Sequence, residues 1–418
     1  MRDLVTVQAK AVPAEPAADV LTIARTQAEL PLPMMMRKVA ADYGTSFNQM
    51  LADIVRLGFG PGKVSVEEYF NLRLFDTAAL AGADKRAFVG FDGMRRIWEE
   101  VNHDRTWCAV LTDKLASTTL LGGYGFPVIP IPAIYSQTLS FPGGTTQILR
   151  SPDALRAHML DPTHYPMFGK PTDSLQSLGS ASFDGLDAET GMLTTVDGRA
   201  VLLDEFIADV TTHYAGGYLL QKRLSPHAAI RAICGDRLAT VRIVTINPKS
   251  GPQILRACWK IPAGPNAADN FWRPGNLLGT IDLETGRIGR VVSGVGLKQS
   301  ERLTHPDTGS VIEGFELPVW AEAKALALDA MKVFQQMGMI GWDIALTDNG
   351  PVIVEPNWTP DLALPQIADR RGVLDDQFRG FLAERTCEAA RQLKSVRRDL
   401  RKEHRDNAQR VIAGAAKG

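Results

Sequence analysis

The chain has 418 residues, of which 45% are hydrophobic and 22% charged, and its mean hydropathy of -0.07 is typical of a globular protein. Its 46 Lys and Arg against 47 Asp and Glu leave a net charge of -1, which argues against nucleic acid or an anionic membrane surface as a partner. No apolar run of the sequence approaches the roughly 20 residues of a membrane span. The length predicts about two or three domains, and we expect a cytoplasmic protein.

Four cysteines are spread over the chain, and none belongs to a CxxC pair. They are Cys108, Cys234, Cys258 and Cys387. This usage is typical of reduced thiols and predicts neither a zinc site nor a disulfide framework. The first 20 residues are rich in Ala and Pro, lack the apolar core of a signal peptide, and are expected to be loosely ordered.

The first hundred residues carry helical patterns. Apolar residues recur at helical spacing over residues 34–59, where Ser46 can cap the second helix. Ser65 with Glu68 three positions on forms a capping-box pattern. We therefore predict a mainly helical region over residues 1–110.

Strand and turn signals dominate the chain beyond that region. The segments DRLATVRIVTI and QILRACWKIP flank the turn NPKSG and predict a hairpin. Residues 318–338 show the pattern of an amphipathic helix ended by Gly338. This mixture predicts the α+β class, with a core of two lobes enclosing a cleft over residues 111–375. A basic helix with a solvated face is predicted over residues 376–418.

Residues 341–360, GWDIALTDNGPVIVEPNWTP, indicate two strands joined by a turn. A three-residue loop that ends at Gly350 in the left-handed conformation puts Asp343 directly opposite Glu355. A two-residue turn at Asn349-Gly350 would instead send the Asp343 side chain to the other face of the sheet. We therefore predict the three-residue loop.

Strand alternation then places Asp343, Glu355 and Asn357 on one face. Two carboxylates at such a distance repel each other, and a hard divalent cation relieves the repulsion. Mg²⁺ prefers oxygen ligands shared with phosphates. The alternative is a solvated hairpin with ordinary surface acids, but the apolar run Val352–Val354 that leads into Glu355 favours a metal site at the mouth of a buried sheet.

A second group of polar residues is suited to phosphate. Lys170 ends a short strand, and Pro171 starts a loop rich in serine, including Ser177, that ends in Gly179. A point charge followed by exposed backbone N–H groups is what a phosphate site needs. The Walker A pattern GxxxxGK[ST] is absent from the sequence, and a surface lysine before a turn is the alternative.

Cationic residues interrupt the predicted hairpin. Arg242 lies within the β-branched segment ATVRIVTI, and Arg256 and Lys260 lie on the next strand. Burying such a cation unpaired costs several kcal/mol, so its partner is either a ligand anion or an acid elsewhere in the chain, and the sequence leaves both open. Asn270 lies in DNFWRPGNLLGTID, whose Gly and Asn residues suit a turn that approaches phosphate, although such a segment is more often simply a loop.

The order of these segments is similar to that of the ATP-grasp superfamily. DKLASTTLLGGYGFPVIP resembles a stretch of D-alanine–D-alanine ligases, and FGKP, QKRL and the D…ExN hairpin follow it in the same order. Within the superfamily, DNF…G…TIDLETG, HPDTG and IGWDIALT…GPVIVEPN resemble the sugar-transfer-associated ATP-grasp proteins. The resemblance covers residues 113–366.

The resemblance implies an ATP-grasp fold whose two α+β lobes enclose the nucleotide, with ATP and Mg²⁺ as cofactors. It assigns phosphate contacts, an adenine pocket and metal ligands in turn. These are Lys114, Lys170 and the loop of Ser177 for phosphate, Gln221, Lys222 and Leu224 for adenine, and Asp343, Glu355 and Asn357 for Mg²⁺.

The sequence departs from the pattern of the superfamily at three places. Gln221 replaces the more usual glutamate, and the loop SLQSLGS is poor in glycine. The stretch MGMIGW carries no arginine before Asp343, so Arg242 is the candidate that stabilises the reacting oxyanion.

We expect an ADP-forming, ATP-dependent ligase that joins a small-molecule carboxylate to an amine, or to a thiol, through an acylphosphate. Arg242, Arg256 and Asn270 are the candidate catalytic residues. A homodimer is a possible assembly. The alternatives are an ATP-grasp phosphotransferase and a nucleotide-binding module without catalysis.

Overall fold

The computed structural model describes most of the chain from residue 30 to residue 415. The described residues are 30–103, 105–139, 144–172, 178–196, 198–264, 266 and 268–415. The N-terminal stretch expected to be loosely ordered lies outside them, as does Ser177. The described residues form two compact units, one over Ala133–Leu220 and the other over the chain on either side. The domain boundaries at residues 110 and 375 stay a prediction.

Among the described residues up to residue 123, all regular secondary structure is helical. They are α1 Leu32–Tyr43, α2 Phe47–Gly58, α3 Val66–Asn71, α4 Phe91–Val101, α5 Arg105–Thr112 and α6 Lys114–Gly123, with one short 3-10 turn at Lys85–Ala87. Both predicted caps are present. Ser46 accepts a hydrogen bond from the Gln49 backbone, and Ser65 and Glu68 form the complete capping box. The predicted helical character of this region is therefore confirmed where it is described.

The unit over Ala133–Leu220 contains a seven-stranded sheet. Its elements are β1 Ala133–Tyr135, β2 Gln147–Leu149, α7 Pro152–Met159, β3 Met167–Pro171, β4 Ala181–Asp187, β5 Met192–Thr195, β6 Ala200–Leu202, α8 Leu203–His213 and β7 Tyr218–Lys222. The strand order is β2-β1-β7-β3-β4-β5-β6. The buried aromatic rings of Phe183, Phe206 and Tyr218 pack edge to face in its core.

The other unit contains a second seven-stranded sheet, in which every neighbouring pair is antiparallel. Its elements beyond the first six helices are α9 Ala228–Cys234, β8 Thr240–Ile246, β9 Gln253–Ile261, β10 Leu277–Ile281, β11 Ile288–Ser293, β12 Ser300–Glu301, α10 Trp320–Met331, β13 Met339–Thr347, β14 Gly350–Asn357, α11 Ala363–Asp369 and α12 Asp376–Ala415. The strand order is β12-β11-β10-β9-β8-β13-β14. The hairpin of β8 and β9, helix α10 and the terminal helix α12 confirm the predicted elements, although α10 ends seven residues before Gly338.

All nine residues of β13 are buried, so both of its faces are covered. Alternate residues along a strand point to opposite faces. Trp342 and Ile344 pack with α10 and its neighbours in the core on one face, so Asp343 projects from the other. The α+β class is confirmed. No described helix is both long and apolar enough to cross a membrane.

The turn between β13 and β14 differs from the prediction. Thr347 pairs with Gly350, so the loop has two residues and not three. The register then shifts at a β-bulge, because Ile344 pairs with Ile353 whereas Asp343 pairs with Glu355. The extra residue is Val354. The predicted turn is wrong, but the bulge restores the predicted opposition of the two carboxylates.

A buried amide joins the end of α4 to the beginning of β13. Asn102, which is 0% exposed, accepts hydrogen bonds from the backbone N–H groups of Gly338 and Met339 at 2.8 and 2.9 Å. Its Nδ2 donates to the carbonyls of Met339 and Trp358 at 2.9 and 2.8 Å. One side chain therefore satisfies four backbone groups on both sides of the β13–β14 hairpin.

Replacing Asn102 by Ala should strongly destabilise the protein, because it leaves these four backbone groups without their partner. Each unsatisfied buried group costs about 1–3 kcal/mol, and we expect a total loss of at least about 3 kcal/mol in the free energy of unfolding. Urea denaturation measures it. Asn48→Ala, at an exposed position of α2, is the matched control and should stay within about 0.5 kcal/mol of the wild type. Equal effects of the two substitutions would contradict the role of Asn102.

A histidine pair lies at the end of α7. The His158 ring stacks on the His164 ring, with centroids 3.8 Å apart, and both ring nitrogens of His158 are buried without a hydrogen-bond partner among the described residues. His164 Nδ1 lies 2.8 Å from the His158 carbonyl oxygen, and Asp161 lies 3.8 Å from His164 Nε2. Burial, with a smaller contribution from His164, lowers the pKa of His158 from 6.5 to about 4.

Stability should therefore fall on acidification between pH 6.5 and pH 4. In that window the unfolded chain binds a proton that folded His158 does not, so the stabilisation is complete above the unfolded pKa and is lost as the pH falls. We expect a loss of about 1–2 kcal/mol, allowing for solvent screening. Thermal denaturation across this pH range measures it, His158→Leu should reduce the dependence, and His213→Leu, at an exposed position of α8, should not.

Candidate functional site

The β13–β14 hairpin brings together the three residues predicted to hold a metal. Asp343 pairs directly with Glu355, and Asn357 pairs with Gly341, two residues before Asp343. The three side chains therefore project from the same face. Asp343 is 3% exposed, whereas Glu355 and Asn357 are partly buried. The geometry assumed by the metal prediction is present, although the loop that produces it was not foreseen.

Asp343 is held by two cations from the neighbouring strands. Arg242 lies directly opposite it on β8 and donates from Nε to Oδ1 at 2.6 Å and from Nη2 to Oδ2 at 3.0 Å. Lys260 on β9 lies with Nζ 3.1 Å from the same Oδ2. The sequence left open whether Arg242 pairs with a ligand anion or with an acid of the chain. In the structure its partner is an acid of the chain, Asp343.

A second carboxylate completes the group of charges. Asp269, 8% exposed, accepts hydrogen bonds at Oδ2 from the backbone N–H and the hydroxyl of Thr240, and its Oδ1 lies 3.3 Å from Lys260 Nζ. Lys260 thus bridges two carboxylates. We call Arg242, Lys260, Asp269 and Asp343 the Asp343 cluster.

Electrostatics keep the central pair of this cluster charged. Burial alone would raise the pKa of Asp343, but Arg242 and Lys260 hold it well below its ordinary value. Burial alone would lower the pKa of Lys260, but Asp269 and Asp343 raise it above its ordinary value. Both groups are therefore ionised at neutral pH, and the four charges of the cluster sum to zero.

The segment that follows β14 folds back over the same face. A Cβ on Gly341 would lie 2.6 Å from Pro360 Cβ and 3.5 Å from Arg242 Cδ, so only glycine admits this approach. The Pro360 carbonyl accepts a hydrogen bond from Trp98 Nε1 at 3.1 Å, and Asp361 accepts one from Trp272 Nε1 at 2.8 Å. Helix α4 and the loop that contains Trp272 therefore fix this segment beside Arg242.

The other two candidate catalytic residues have structural contacts. Arg256 donates from Nη2 to Asp375 at 2.7 Å, just before α12, and from Nη1 to the Leu255 carbonyl at 2.8 Å. Asn270 accepts a hydrogen bond from the Trp272 backbone at 3.1 Å, and its carbonyl accepts one from Asn276 Nδ2 at 2.7 Å. A catalytic role for Arg256 and Asn270 stays a prediction.

The residues predicted to line an adenine pocket lie at and just after the end of β7. Gln221 is 2% exposed, and its Oε1 has no hydrogen-bond partner among the described residues. Lys222 is exposed and Leu224 is partly buried. A buried acceptor without a partner is costly, and a donor from a ligand would satisfy it. Lys114, the first residue of α6, follows the N-cap Asp113 and is partly buried.

The described residues on either side of the predicted phosphate segment are closely packed. Lys170 lies on β3 and is 6% exposed. Gly179 has φ +75°, and a Cβ there would lie 2.4 Å from the Tyr214 hydroxyl. The Tyr218 hydroxyl donates to the Gly179 carbonyl at 2.9 Å. Glycine is therefore required at position 179.

The donor set fits Mg²⁺ held jointly with phosphates. The described residues include no cluster of three or more His, Cys, Asp or Glu side chains arranged for a metal ion. Asp343, Glu355 and Asn357 offer two carboxylates and an amide, and the Asn357 nitrogen is buried without a partner among the described residues. Oxygen ligands that number fewer than six suit Mg²⁺, which completes its shell with water and phosphate oxygens.

Sequence reasoning missed two residues of the site. From the sequence, Lys260 was described only as a cation of the second strand. Lys260 lies two residues after Cys258, which pairs with Arg242, and this spacing was the signal that could have placed Lys260 on the same face as Arg242. The position of Asp269 could not be predicted from the sequence. It lies in an irregular loop, where no helical or strand periodicity indicates which residues are its neighbours.

The segment that carries the D…ExN hairpin is similar in sequence to a family of the ATP-grasp class. Within that class, residues 187–379 match the sequence model of the family described as "Sugar-transfer associated ATP-grasp". The matched segment contains every strand of the sheet that carries the Asp343 cluster. The resemblance predicted from the sequence is thus confirmed over these residues. No curated protein matches the chain by sequence.

Two ligases and a synthetase are among the solved structures that are similar to this chain. The D-alanine–D-alanine ligase from Bacillus anthracis is 15% identical, with a TM-score of 0.37 over 68% of this chain and 69% of that one. The enzyme of the same name from Coxiella burnetii is also 15% identical, with a TM-score of 0.37 over 69% and 61%. An ADP complex of N5-carboxyaminoimidazole ribonucleotide synthetase is 11% identical, with a TM-score of 0.36 over 79% and 68%.

Replacing Arg242 by Met should destabilise the protein by about 3–5 kcal/mol, because the buried Asp343 loses its bidentate partner. Arg231→Met is the control, since the Arg231 and Asp236 side chains are 39% and 71% exposed and such a pair contributes at most about 1 kcal/mol. The free energy of unfolding in urea measures both. The double variant Arg242→Met/Asp343→Leu should recover much of the loss. A loss no larger than that of Arg231→Met would show that the pair does not stabilise the fold.

Proposed function

We propose that this protein is an ATP-dependent ligase that activates a carboxylate as an acylphosphate and transfers the acyl group to an amine. The observation that carries the proposal is the opposition of Asp343 and Glu355, with Asn357 on the same face. This arrangement supplies oxygen ligands for Mg²⁺ at the end of a buried hairpin, and the family match over residues 187–379 supports a nucleotide as its partner.

The proposed reaction has two steps. A carboxylate oxygen of the substrate attacks the γ-phosphorus of ATP, the bond from that phosphorus to the bridging oxygen breaks, and ADP leaves. The amine nitrogen then attacks the acyl carbon, the C–O bond to phosphate breaks, and the amine loses a proton. No nucleophile of the protein is needed, because catalysis of this kind consists of positioning and charge stabilisation.

The residues of the chain divide these tasks. Lys114 and Lys170 would neutralise phosphate oxygens, and Gln221 would accept a hydrogen bond from the adenine amine through its unpartnered Oε1. Asp343, Glu355 and Asn357 would hold Mg²⁺, whose positive charge would stabilise the charge on the phosphates.

Arg242 would act first through Asp343. The Nε and Nη2 atoms of its guanidinium group donate to the Asp343 carboxylate. These two hydrogen bonds fix the direction of the Asp343 oxygens. We propose that Arg242 also provides the positive charge that faces the incoming carboxylate, since no arginine precedes Asp343 in MGMIGW.

The family description suggests the setting of the reaction. Sugar transfer in its name fits a role in making a small molecule, peptide or cell-surface polymer that carries sugar residues. We propose small-molecule carboxylate and amine substrates, since the proposed reaction activates a carboxylate for attack by an amine.

Glu355→Gln should reduce ATP-dependent product formation at least tenfold, equivalent to about 1.4 kcal/mol of barrier, because an amide replaces a charged Mg²⁺ ligand. The assay incubates the protein with ATP, Mg²⁺ and a metabolite extract of the host, and mass spectrometry identifies any mass that equals a condensation. Glu284→Gln, at an exposed carboxylate between β10 and β11, is the control and should keep full activity. Phosphorylated products without free phosphate would replace the ligase by a phosphotransferase.

A further inference from the structure

The oxygens of Asp343 are already largely occupied by groups of the protein. An ionised carboxylate has about four positions at which it can accept. Arg242 Nε takes one on Oδ1, and Arg242 Nη2 and Lys260 Nζ take the two on Oδ2. Counting the groups of the described residues, one position, on Oδ1, remains for a metal ion.

The four charges of the Asp343 cluster also balance one another without a metal. Arg242 and Lys260 carry two positive charges, and Asp343 and Asp269 carry two negative charges. All four side chains are at most 11% exposed, so water screens them little. A free divalent cation beside Asp343 would meet two cations at close range and would be attracted mainly by Glu355.

We propose that Lys260 is a positioning residue that keeps a divalent cation from binding at Asp343 until the nucleotide is present. Its ammonium occupies Oδ2 and cancels the charge that would otherwise draw the metal. The triphosphate supplies the negative charge and the oxygen ligands that the cluster lacks, so metal and nucleotide enter together. This inference rests on the proposed function, since it takes the hairpin as the metal site.

A purely structural role for Lys260 predicts something different. Lys260 would then only join β9 to the loop of Asp269, and its loss would lower stability without changing the affinity for a metal. Binding of Mn²⁺ in the absence of nucleotide separates the two roles, because that measurement requires no turnover.

The experiment measures Mn²⁺ binding by electron paramagnetic resonance. The quantity measured is the decrease of the free-ion signal relative to the same mixture without protein. The wild-type protein should bind Mn²⁺ well only when a non-hydrolysable ATP analogue is added. Lys260→Met should bind Mn²⁺ without nucleotide at least tenfold more tightly than the wild type, which corresponds to about 1.4 kcal/mol. Lys260→Arg keeps the charge and should bind as the wild type does.

The variant Lys260→Met leaves Asp269 without its cation, and circular dichroism checks that it folds. The double variant Lys260→Met/Asp269→Asn removes one charge of each sign and leaves no stranded carboxylate. The cation that the double variant removes contacts Asp343, whereas the carboxylate that it removes is bonded to Thr240. The double variant should therefore also bind Mn²⁺ more tightly than the wild type.

Three results would overturn the inference: nucleotide-independent binding by the wild type as tight as with the analogue, a folded Lys260→Met with wild-type affinity, or a double variant with wild-type affinity. A different result would remove the proposed function. If the wild type binds no Mn²⁺ with the analogue at saturating concentration, the hairpin is not a metal–nucleotide site, whatever Lys260 does.

Discussion

Asp343 lies opposite Glu355 because β14 contains one more residue than its partner strand requires. The two-residue loop pairs Thr347 with Gly350, and this register, continued without a bulge, would set Val354 opposite Asp343. Glu355 would then pair with Trp342 and point into the apolar core on the other face. Burying that carboxylate among aromatic and aliphatic side chains would cost several kcal/mol, so the bulge is the feature on which the site depends.

The bulged hairpin is held by residues far away in the sequence. Asn102 ties the first residues of β13 to the segment after β14, and Trp98 bonds to Pro360 in that segment. Both belong to the end of α4, so a helix of the N-terminal region supports the candidate site within its own unit. The pairing of Gln366 with both backbone groups of Val89 extends the same contact to α11. This gives the helical region a definite structural role.

Local patterns allowed much of this to be predicted from the sequence. The caps at Ser46 and Ser65, the hairpin of β8 and β9 and the opposition of Asp343 and Glu355 depend on spacing within a few residues. The loop length was wrong, because a bulge has no clear sequence signal and compensates for a shorter turn. The role of Asn102 was not predictable, since it also stands at the C-cap of α4, where asparagine is ordinary, and its partners lie more than 200 residues away.

The two cations beside Asp343 have different side chains for a geometric reason. The planar fork of an arginine meets one carboxylate with two parallel bonds, which sets the orientation of Asp343. A lysine ammonium has three donors that it can direct independently, which suits contact with Asp343 and Asp269 at once. Arg242 therefore fixes where the Asp343 oxygens point, whereas Lys260 fixes the charge that they present. A site that must orient a metal ligand and also weaken its attraction for free cations needs both, and a lysine at position 242 would keep the net charge while losing the two parallel bonds that orient Asp343.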